Sequence, residues 1–343
     1  MRKTEMPEDY FGPPAPEILD IISVLEKAGK WLVLAHEKPD GDTIGCSFAM
    51  AHAGARLSKE VMLGGPDIYP GRYEFLAAGI NFNVLNEIPC DFIGTGGAVI
   101  CLDTSTAGRS VQGVEDLQER FHTINIDHHS DNERFCAINW VDPTSSATGE
   151  MVTELLSVSP WGIDRREAEA LYVAIVTDNG YFKFSSTTKR SYKCAIRLME
   201  AGAVPGDLMA VLDSNMSAEI LSLWGRAFSR TELFAGGRSA FFWLSKDDFE
   251  QTGASRSGTE GLVNFLLKIK GVGLAVLFSE ADGEIRVNLR ARAPFSAHRI
   301  ALAFGGGGHE VASGCVIRAS LAEAVSAVIT EIEKYAAGYI APR

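Results

Sequence analysis

A chain of 343 residues with 46% apolar and 22% charged residues is long enough for two domains with cores of their own, and its composition is neither that of a disordered nor of a fibrous protein. Its net charge of −12 sets it against long polyanions such as duplex DNA, because phosphate neutralisation dominates affinity for nucleic acid; a small anion in a metal-neutralised pocket stays compatible. No apolar run approaches the roughly 20 residues of a membrane span, and the polar, proline-rich start MRKTEMPEDYFGPPAPE has no apolar secretory core, so residues 1–14 read as a flexible lead-in to a cytoplasmic protein.

PEILDIISVLEKAGK (16–30) repeats its apolar residues at helical spacing and stops near Gly29, which predicts a helix lying as a lid on a sheet edge. WLVLAH (31–36), EVMLGG (60–65), AVICLD (98–103) and TINID (123–127) are short β-type runs separated by amphipathic segments. That alternation predicts a mostly parallel sheet with helices on both faces. Between the first two runs, Gly41 to Gly45 read as a turn into a helix beginning near Ile44. DRREAEALYVAIVTDNG (164–180) reads as a helix capped by Asp164, since its apolar residues begin too late for an isolated strand. Past residue 200 the pattern changes. GDLMAVLDSNMSAEILSLWGRAFSR is predicted to be a helical bridge to a second domain, with SAFFWLS a strand, TEGLVNFLLKIK a helix, GLAVLFSE and EIRVNLRAR a hairpin around ADG, and SLAEAVSAVITEIEKYAAG a closing helix. The expected fold class is therefore α/β: a first domain over 15–200, a helical linker over 201–230 and a smaller mixed α/β domain over 231–340. The six cysteines (Cys46, Cys90, Cys101, Cys136, Cys194, Cys315) contain no CxxC pair and read as reduced thiols in or near the core.

The carboxyl ends of the strands form the binding edge of a parallel α/β sheet. His36, Asp40 and Asp42 follow the first run, Asp103 ends the third, and Asp127, His128 and His129 end the fourth. Asp178 is the one other acid preceded by a long apolar run. Carboxylates gathered this closely repel one another unless cations share the site. Imidazole and carboxylate donors without thiolates suit manganese, iron, cobalt or zinc. Two ions about 3.5 to 4 Å apart can hold a hydroxide and clamp both the attacking and the leaving oxygen of a phosphoryl group, and Asp103, the only acid of its short loop, is the natural bridge between them. Any one of these acids could instead be a helix cap, but a histidine pair directly after a strand aspartate is rarely needed for packing. His52, inside a helical run, and His122, just before a strand, read as packing residues. In the second domain, the four glycines of GGGGHEVASG (305–314) let the backbone approach a ligand and offer N–H groups for an anion nest. Arg286, Arg290 and Arg292 share one face of the preceding hairpin by period-two spacing and make a phosphate grip, the alternative being arginines that protect an edge strand.

HxxPDGD (36–42), LDTS (102–105), DHH (127–129) and TDNGYF (177–182) resemble, in this order, the four motifs of the DHH phosphoesterase family, and GGGGHEVASG resembles the glycine-rich signature of the DHH-associated C-terminal domain. The resemblance covers nearly the whole chain. Its two-domain layout is similar to the NrnA-type members, nanoRNases and pAp phosphatases, rather than to the longer RecJ exonucleases. The resemblance implies that His36 and Asp40 bind a first manganese ion, that Asp42, His128 and Asp178 bind a second, and that Asp103 bridges them. It further implies that Asp127 orients a neighbouring histidine, and that His129 meets the substrate phosphate or protonates the leaving oxygen. Arg290 and His309 are the favoured members of a substrate grip with Arg286, Arg292, Gly306, Gly307 and Gly308, and the active site is expected in a cleft between the domains. The implied activity is hydrolysis of short oligonucleotides, or of the 3′-phosphate of pAp, by dinuclear-metal hydroxide attack on phosphorus; a homodimer is a family-level expectation. Linear or cyclic dinucleotides are alternative substrates of the same centre, inorganic pyrophosphate a more distant one, and a catalytically silent nucleotide-binding module is the rival of another class. The chain departs from the family pattern at Cys46, where serine is frequent, and in TDNG for TDTG.

Overall fold

In the computed structural model, which describes residues 11–117, 120–214, 216–281 and 283–337, every β-type run of the first domain is a strand. The chain divides into two compact units, Met1–Asn215 and Met216–Arg343. The first contains α1 (Pro16–Lys27), β1 (Lys30–Leu34), α2 (Gly41–Arg56), β2 (Glu60–Gly65), β3 (Phe82–Val84), α3 (Cys90–Ile93), β4 (Ala98–Leu102), β5 (His122–Asp127), β6 (Ile138–Val141), α4 (Thr148–Val158), α5 (Arg165–Asp178), α6 (Lys189–Glu200) and α7 (Pro205–Asp213). Its strands are all parallel, in the order β3-β2-β1-β4-β5-β6. Leaving β1, the chain fills one side of the sheet and then returns to lay β4 on the other, so the connections after β1 and β4 part at a crevice outside the carboxyl ends of these strands.

Both faces of this sheet are buried, which is why the central strands β1 and β4 are apolar without alternation. Trp31, Val33, Ile100, Leu102, Ile124 and Ile126 pack under the long helices, whereas Leu32, Leu34, Val99 and Cys101 meet Ile88, Ile93, Val114, Leu117 and Phe135. The two coverings are unequal: the second consists of α3, short 3₁₀ turns and loops. Helix α1 packs against β6, the edge strand.

Helix α2 begins at Gly41, three residues before the expected start. Asp40 is the reason, since its Oδ1 accepts from the N–H groups of Asp42 and Thr43, both at 3.1 Å, and so caps the helix early. Helix α5 carries a full capping box between Asp164 and Glu167, which settles YVAIV as helix. The two helices touch backbone to backbone: a Cβ on Gly45 would lie 2.4 Å from the Ala170 carbonyl oxygen, and one on Gly41 2.3 Å from Thr177 Oγ1. Arg56 ties their far ends by donating to both carboxylate oxygens of the buried Glu167, at 2.8 and 3.0 Å.

The second unit contains α8 (Ala218–Ser229), β7 (Glu232–Phe234), β8 (Ser239–Leu244), α9 (Lys246–Thr252), β9 (Leu274–Ala281), β10 (Glu284–Ala291), α10 (Ala297–Leu302), β11 (Gly307–His309), β12 (Ala312–Ile317) and α11 (Leu321–Ala337). Its sheet runs β11-β12-β10-β9-β8-β7, with β8 parallel to β9 and the other pairs antiparallel. The expected helical bridge is two helices, α7 packed on α5 and α8 packed on β8. TEGLVNFLLKIK is 3₁₀ rather than α-helical; its longer turn starts after a left-handed Gly261 without a side-chain cap, too little to support an α-helical nucleus. The hairpin of β9 and β10 pairs Ala281 with Glu284, and Asp282 of its turn lies outside the described residues. Among the described residues no helix is long and apolar enough to cross a membrane.

Candidate metal centre

His36 stands two residues past β1, almost fully buried. Its Nδ1 lies 2.6 Å from the Glu37 carbonyl oxygen, a contact that requires the proton on Nδ1 and leaves the Nε2 lone pair free. That Nε2 is 3.6 Å from Asp103 Oδ2. His128 repeats the arrangement: Nδ1 faces the Ser145 carbonyl oxygen at 3.3 Å, while Nε2 is 3.6 Å from Asp103 Oδ1 and 3.7 Å from Asp178 Oδ2.

Asp103 follows β4 with φ +56, a left-handed conformation in which aspartate is more tolerated than most residues. Its N–H still donates to Ile126 at 2.9 Å, so the ladder with β5 continues while the side chain turns into the crevice. There Oδ2 accepts from Thr43 Oγ1 at 2.6 Å and Oδ1 from Thr148 Oγ1 at 3.1 Å. Asp42, in the first turn of α2, serves a second helix as well. Helix α4 has Ala147 at its N-cap, without a capping side chain, and Asp42 supplies what is missing by accepting from the N–H groups of Thr148 and Gly149 at 2.6 and 2.8 Å.

Three overlapping groups result, each with one donor atom per residue within 4.8 Å of the others: His36, Asp40 and Asp103; Asp42, His128 and Asp178; and Asp103, His128 and His129. All six residues expected as ligands are thus brought together, and Asp103 belongs to two groups. The donor set fits divalent ions on two counts. Separations of 3.6 to 3.7 Å between imidazole nitrogen and carboxylate oxygen are too long for hydrogen bonds but close to the spacing of two donors each about 2.1 Å from one ion. Two of the carboxylates, Asp42 and Asp178, are also not fully compensated by their neighbours. Burial, then the charges of Asp103, Asp178 and Asp40, push the Asp42 carboxyl well above its ordinary range. Burial lifts Asp178 to about 6, with Asp103 and Asp40 adding to it against the pull of His128. Burial acts the same way on Asp103, which is held below the usual value only where His36 and His128 carry the second proton that a bound cation would replace. A cation shared among them removes the conflict.

Asp127, fully buried, accepts from His129 at 2.7 Å through Oδ1 and from Asn132 Nδ2 at 2.6 Å through Oδ2. The hydrogen bond to Asp127 raises His129 to about 9, which favours its protonated form. Asn132 also donates to the Thr104 carbonyl and to Asn125 Oδ1, which fixes the loop after the DHH triplet.

Residues 30–175 match the DHH family, N-terminal domain, and residues 242–338 match the DHHA1 domain. The chain belongs to the DHH family. This DHH protein is 28% identical over 338 residues, 97% of its own length and 98% of the relative's, to the bifunctional oligoribonuclease and PAP phosphatase NrnA of Thermus thermophilus. The Bacillus subtilis protein of the same name is 32% identical over 197 residues, 57% of this chain and 62% of that one. Among solved structures, an exopolyphosphatase-related protein from Bacteroides fragilis matches with a TM-score of 0.81 at 26% identity, covering 93% of this chain and 97% of that one.

In the DHHA1 region the structure sorts the expected grip residues. Arg286 and Arg290 share a face of β10 with Asn288, opposite the buried Ile285, Val287 and Leu289. Arg292 lies past the last residue of the strand, so its side is not set by the strand period. Arg286, Asn288, Gly305, Gly306 and Gly314 border an open cavity of about 450 Å³. The anion nest is not available over the whole glycine run, because the N–H groups of Gly305 and Gly306 donate to the carbonyls of Leu302 and Ala301 at 3.1 and 2.9 Å. Gly307, Gly308 and His309 form the exposed strand β11. Gly306 and Gly308 are needed for packing in any case, since a Cβ on either would lie 2.2 and 2.6 Å from the carbonyl oxygens of Gly314 and Ala312.

His52 is a satisfied core residue of this DHH protein, its Nε2 2.9 Å from the Leu76 carbonyl oxygen. His122 opens β5 and is exposed, and all six cysteines are free. Thr43, Asn132, Ser145, Thr148 and Gly149 were not singled out in the sequence. Thr43 adjoins the PDGD block and was open to suspicion from that position; the others carry no local signal.

Proposed function

We propose that this protein is a two-metal phosphoesterase that hydrolyses short oligonucleotides to mononucleotides and removes the 3′-phosphate of pAp. The observation that carries the reading is the set of overlapping ligand groups around Asp103 at the sheet's crevice, in a chain whose full-length relative is named for these two activities. In this reading His36, Asp40 and Asp103 would hold one ion, and Asp42, His128 and Asp178, with Asp103, would hold the other. Manganese suits the mixed imidazole and carboxylate donors. The Cys46 thiol, near Asp42, does not turn the site soft, because burial and then the charge of Asp42 push its pKa far up. When bound, the ions supply Lewis-acid chemistry, acidifying water and neutralising phosphoryl oxygens.

The chain's own residues do the rest. Thr43 and Thr148 fix both oxygens of Asp103, and Asp127 holds the protonated His129 through Nδ1, leaving Nε2–H to bind a phosphate oxygen or to protonate the leaving oxygen. Arg286, Arg290, Arg292 and His309, with Gly307 and Gly308, supply the grip on substrate phosphate, while Gly306 serves the packing of the loop. The acidic balance of the chain disfavours long polyanions and leaves short substrates.

The test is manganese-dependent hydrolysis by the purified protein of pAp, RNA of two to five nucleotides, linear pApA, cyclic di-AMP and pyrophosphate in parallel. Release of nucleotide from the short RNA series, or of phosphate from pAp, is expected. Asp103→Ala and His128→Ala should each reduce it to about one thousandth or less with an unchanged circular dichroism spectrum. Activity retained by both variants would refute the dinuclear mechanism, and hydrolysis confined to pyrophosphate would refute the substrate class.

A further inference from the structure

After Asp178 the chain makes a turn that bulky residues rarely adopt. Gly180, Tyr181 and Phe182 have φ of +62, +59 and +60, and a left-handed run containing two aromatic residues persists only where its surroundings enforce it. Here they do. Tyr181 N–H donates to the Val176 carbonyl at 2.7 Å, Phe182 N–H to Asn179 Oδ1 at 2.8 Å, and Phe184 N–H to the Asn179 carbonyl at 3.1 Å. The asparagine of TDNG is thus a brace for the turn. Phe182 uses the turn to pack, edge-on to Tyr172 and stacked on Tyr192. Tyr181 does not, and stays 40% exposed.

Tyr181 borders a cavity of about 180 Å³ whose other walls are Arg72, Tyr73, Thr177 and Leu212. The cavity adjoins the candidate centre. Thr177 precedes Asp178 and lies against Gly41 beside Asp40, and Tyr73 is close enough to Asp40 to feel its charge. None of the five walls is acidic, although the centre next to them is crowded with carboxylates. Two are phenol rings, one is a leucine, and the Arg72 guanidinium stands 4.8 Å from the Tyr73 ring centroid, with Lys183 Nζ 5.5 Å from that of Tyr181. Phenol rings and guanidinium planes recognise flat heteroaromatic rings through stacking and cation–π contact, and the volume suits a base rather than a whole nucleotide.

We propose that this cavity receives a nucleobase of the substrate, with Tyr181 as the stacking surface and Arg72 as its polar wall. The inference rests on the nucleotide reading above and adds the subsite that senses the base. Two substrates test it: pApA, and the same dinucleotide with one base replaced by hydrogen, alongside a 2-aminopurine dinucleotide as a binding probe. Wild type should prefer pApA by about tenfold or more in kcat/KM, the scale of one aromatic stack, and should quench the probe. Tyr181→Gly, which suits the left-handed backbone while removing the ring, should abolish both the preference and the quenching, and Tyr181→Phe should keep both. Wild type that cleaves the two dinucleotides equally, or a Tyr181→Gly protein that keeps preference and quenching, overturns the inference while the proposed activity stands. Sensitivity of Arg72→Ala to a terminal phosphate but not to the base would assign the cavity to phosphate and overturn it as well. Failure of wild type on every nucleotide overturns the proposed activity itself.

Discussion

Asp103 owes its orientation to two threonines that come from different helices, Thr43 in α2 and Thr148 in α4, donating to opposite oxygens. Such supports of a ligand are worth about 10- to 100-fold in metal affinity. Thr43→Val keeps the shape and removes the donor, so manganese titrated into it by calorimetry should bind 10- to 100-fold more weakly than to wild type, by that same scale. Thr43→Ser should recover most of the loss; equal affinities for all three proteins would show that Asp103 needs no such support. His36 and His128 are oriented differently, by backbone carbonyls of Glu37 and Ser145, which no side-chain replacement at those two positions removes.

At the scale of elements, the centre depends on how closely α2 approaches α5. Gly45 meets the Ala170 carbonyl and Gly41 meets Thr177, so small residues on α2 bring Asp42 and Asp178 to one place. Gly45→Ala should cost about 1–3 kcal/mol through overpacking, lowering the melting temperature of the metal-free protein by about 2–10 °C; an unchanged melting temperature would mean that α5 slides without penalty. The strands that position the proposed ligands were legible because each is an apolar run ended by an acid or an imidazole. Strands β3 and β6 were not, being three and four residues long at the edges of the sheet. The early start of α2 was hidden because Asp40 has two readings, cap and ligand, and it fits both. Thr148 and Gly149 escaped notice for another reason. Their partners Asp103 and Asp42 lie 45 to 107 positions away, and only the packing of α4 beside α2 makes them neighbours.

At the scale of the whole molecule, each unit has a sheet with a core on either side, so a defect in one should be separable from the chemistry of the other. Asp248 offers the test. It is buried in the second unit and accepts from Arg230, Arg226 and Ser245. Burial alone would raise its pKa, but these donors, Arg230 first, hold it well below the usual carboxylate range. A depressed folded pKa stabilises the fold in full above the unfolded value of about 3.9 and loses that contribution as pH falls through the folded one. Asp248→Asn should therefore cost about 3 kcal/mol at pH 7, a difference that narrows as the pH drops below about 4, read from denaturant unfolding at both pH values. Manganese affinity at pH 7 should not move, and a gap that widened in acid would contradict the assigned sign.

Asp42 joins two helices, and that has a bearing on descent. Because it caps α4 from outside, its loss would unravel a helix start as well as the proposed ligand set, whereas among the described residues neither His36 nor Asp178 caps a helix, His36 bonding to the Glu37 carbonyl and facing Arg109. A lineage that abandoned the chemistry but kept the fold would be under pressure to retain Asp42 and free to let His36 and Asp178 drift. Among divergent copies of this architecture, then, persistence of the second aspartate of PDGD says little about activity, and the histidine six positions before it is the residue to inspect.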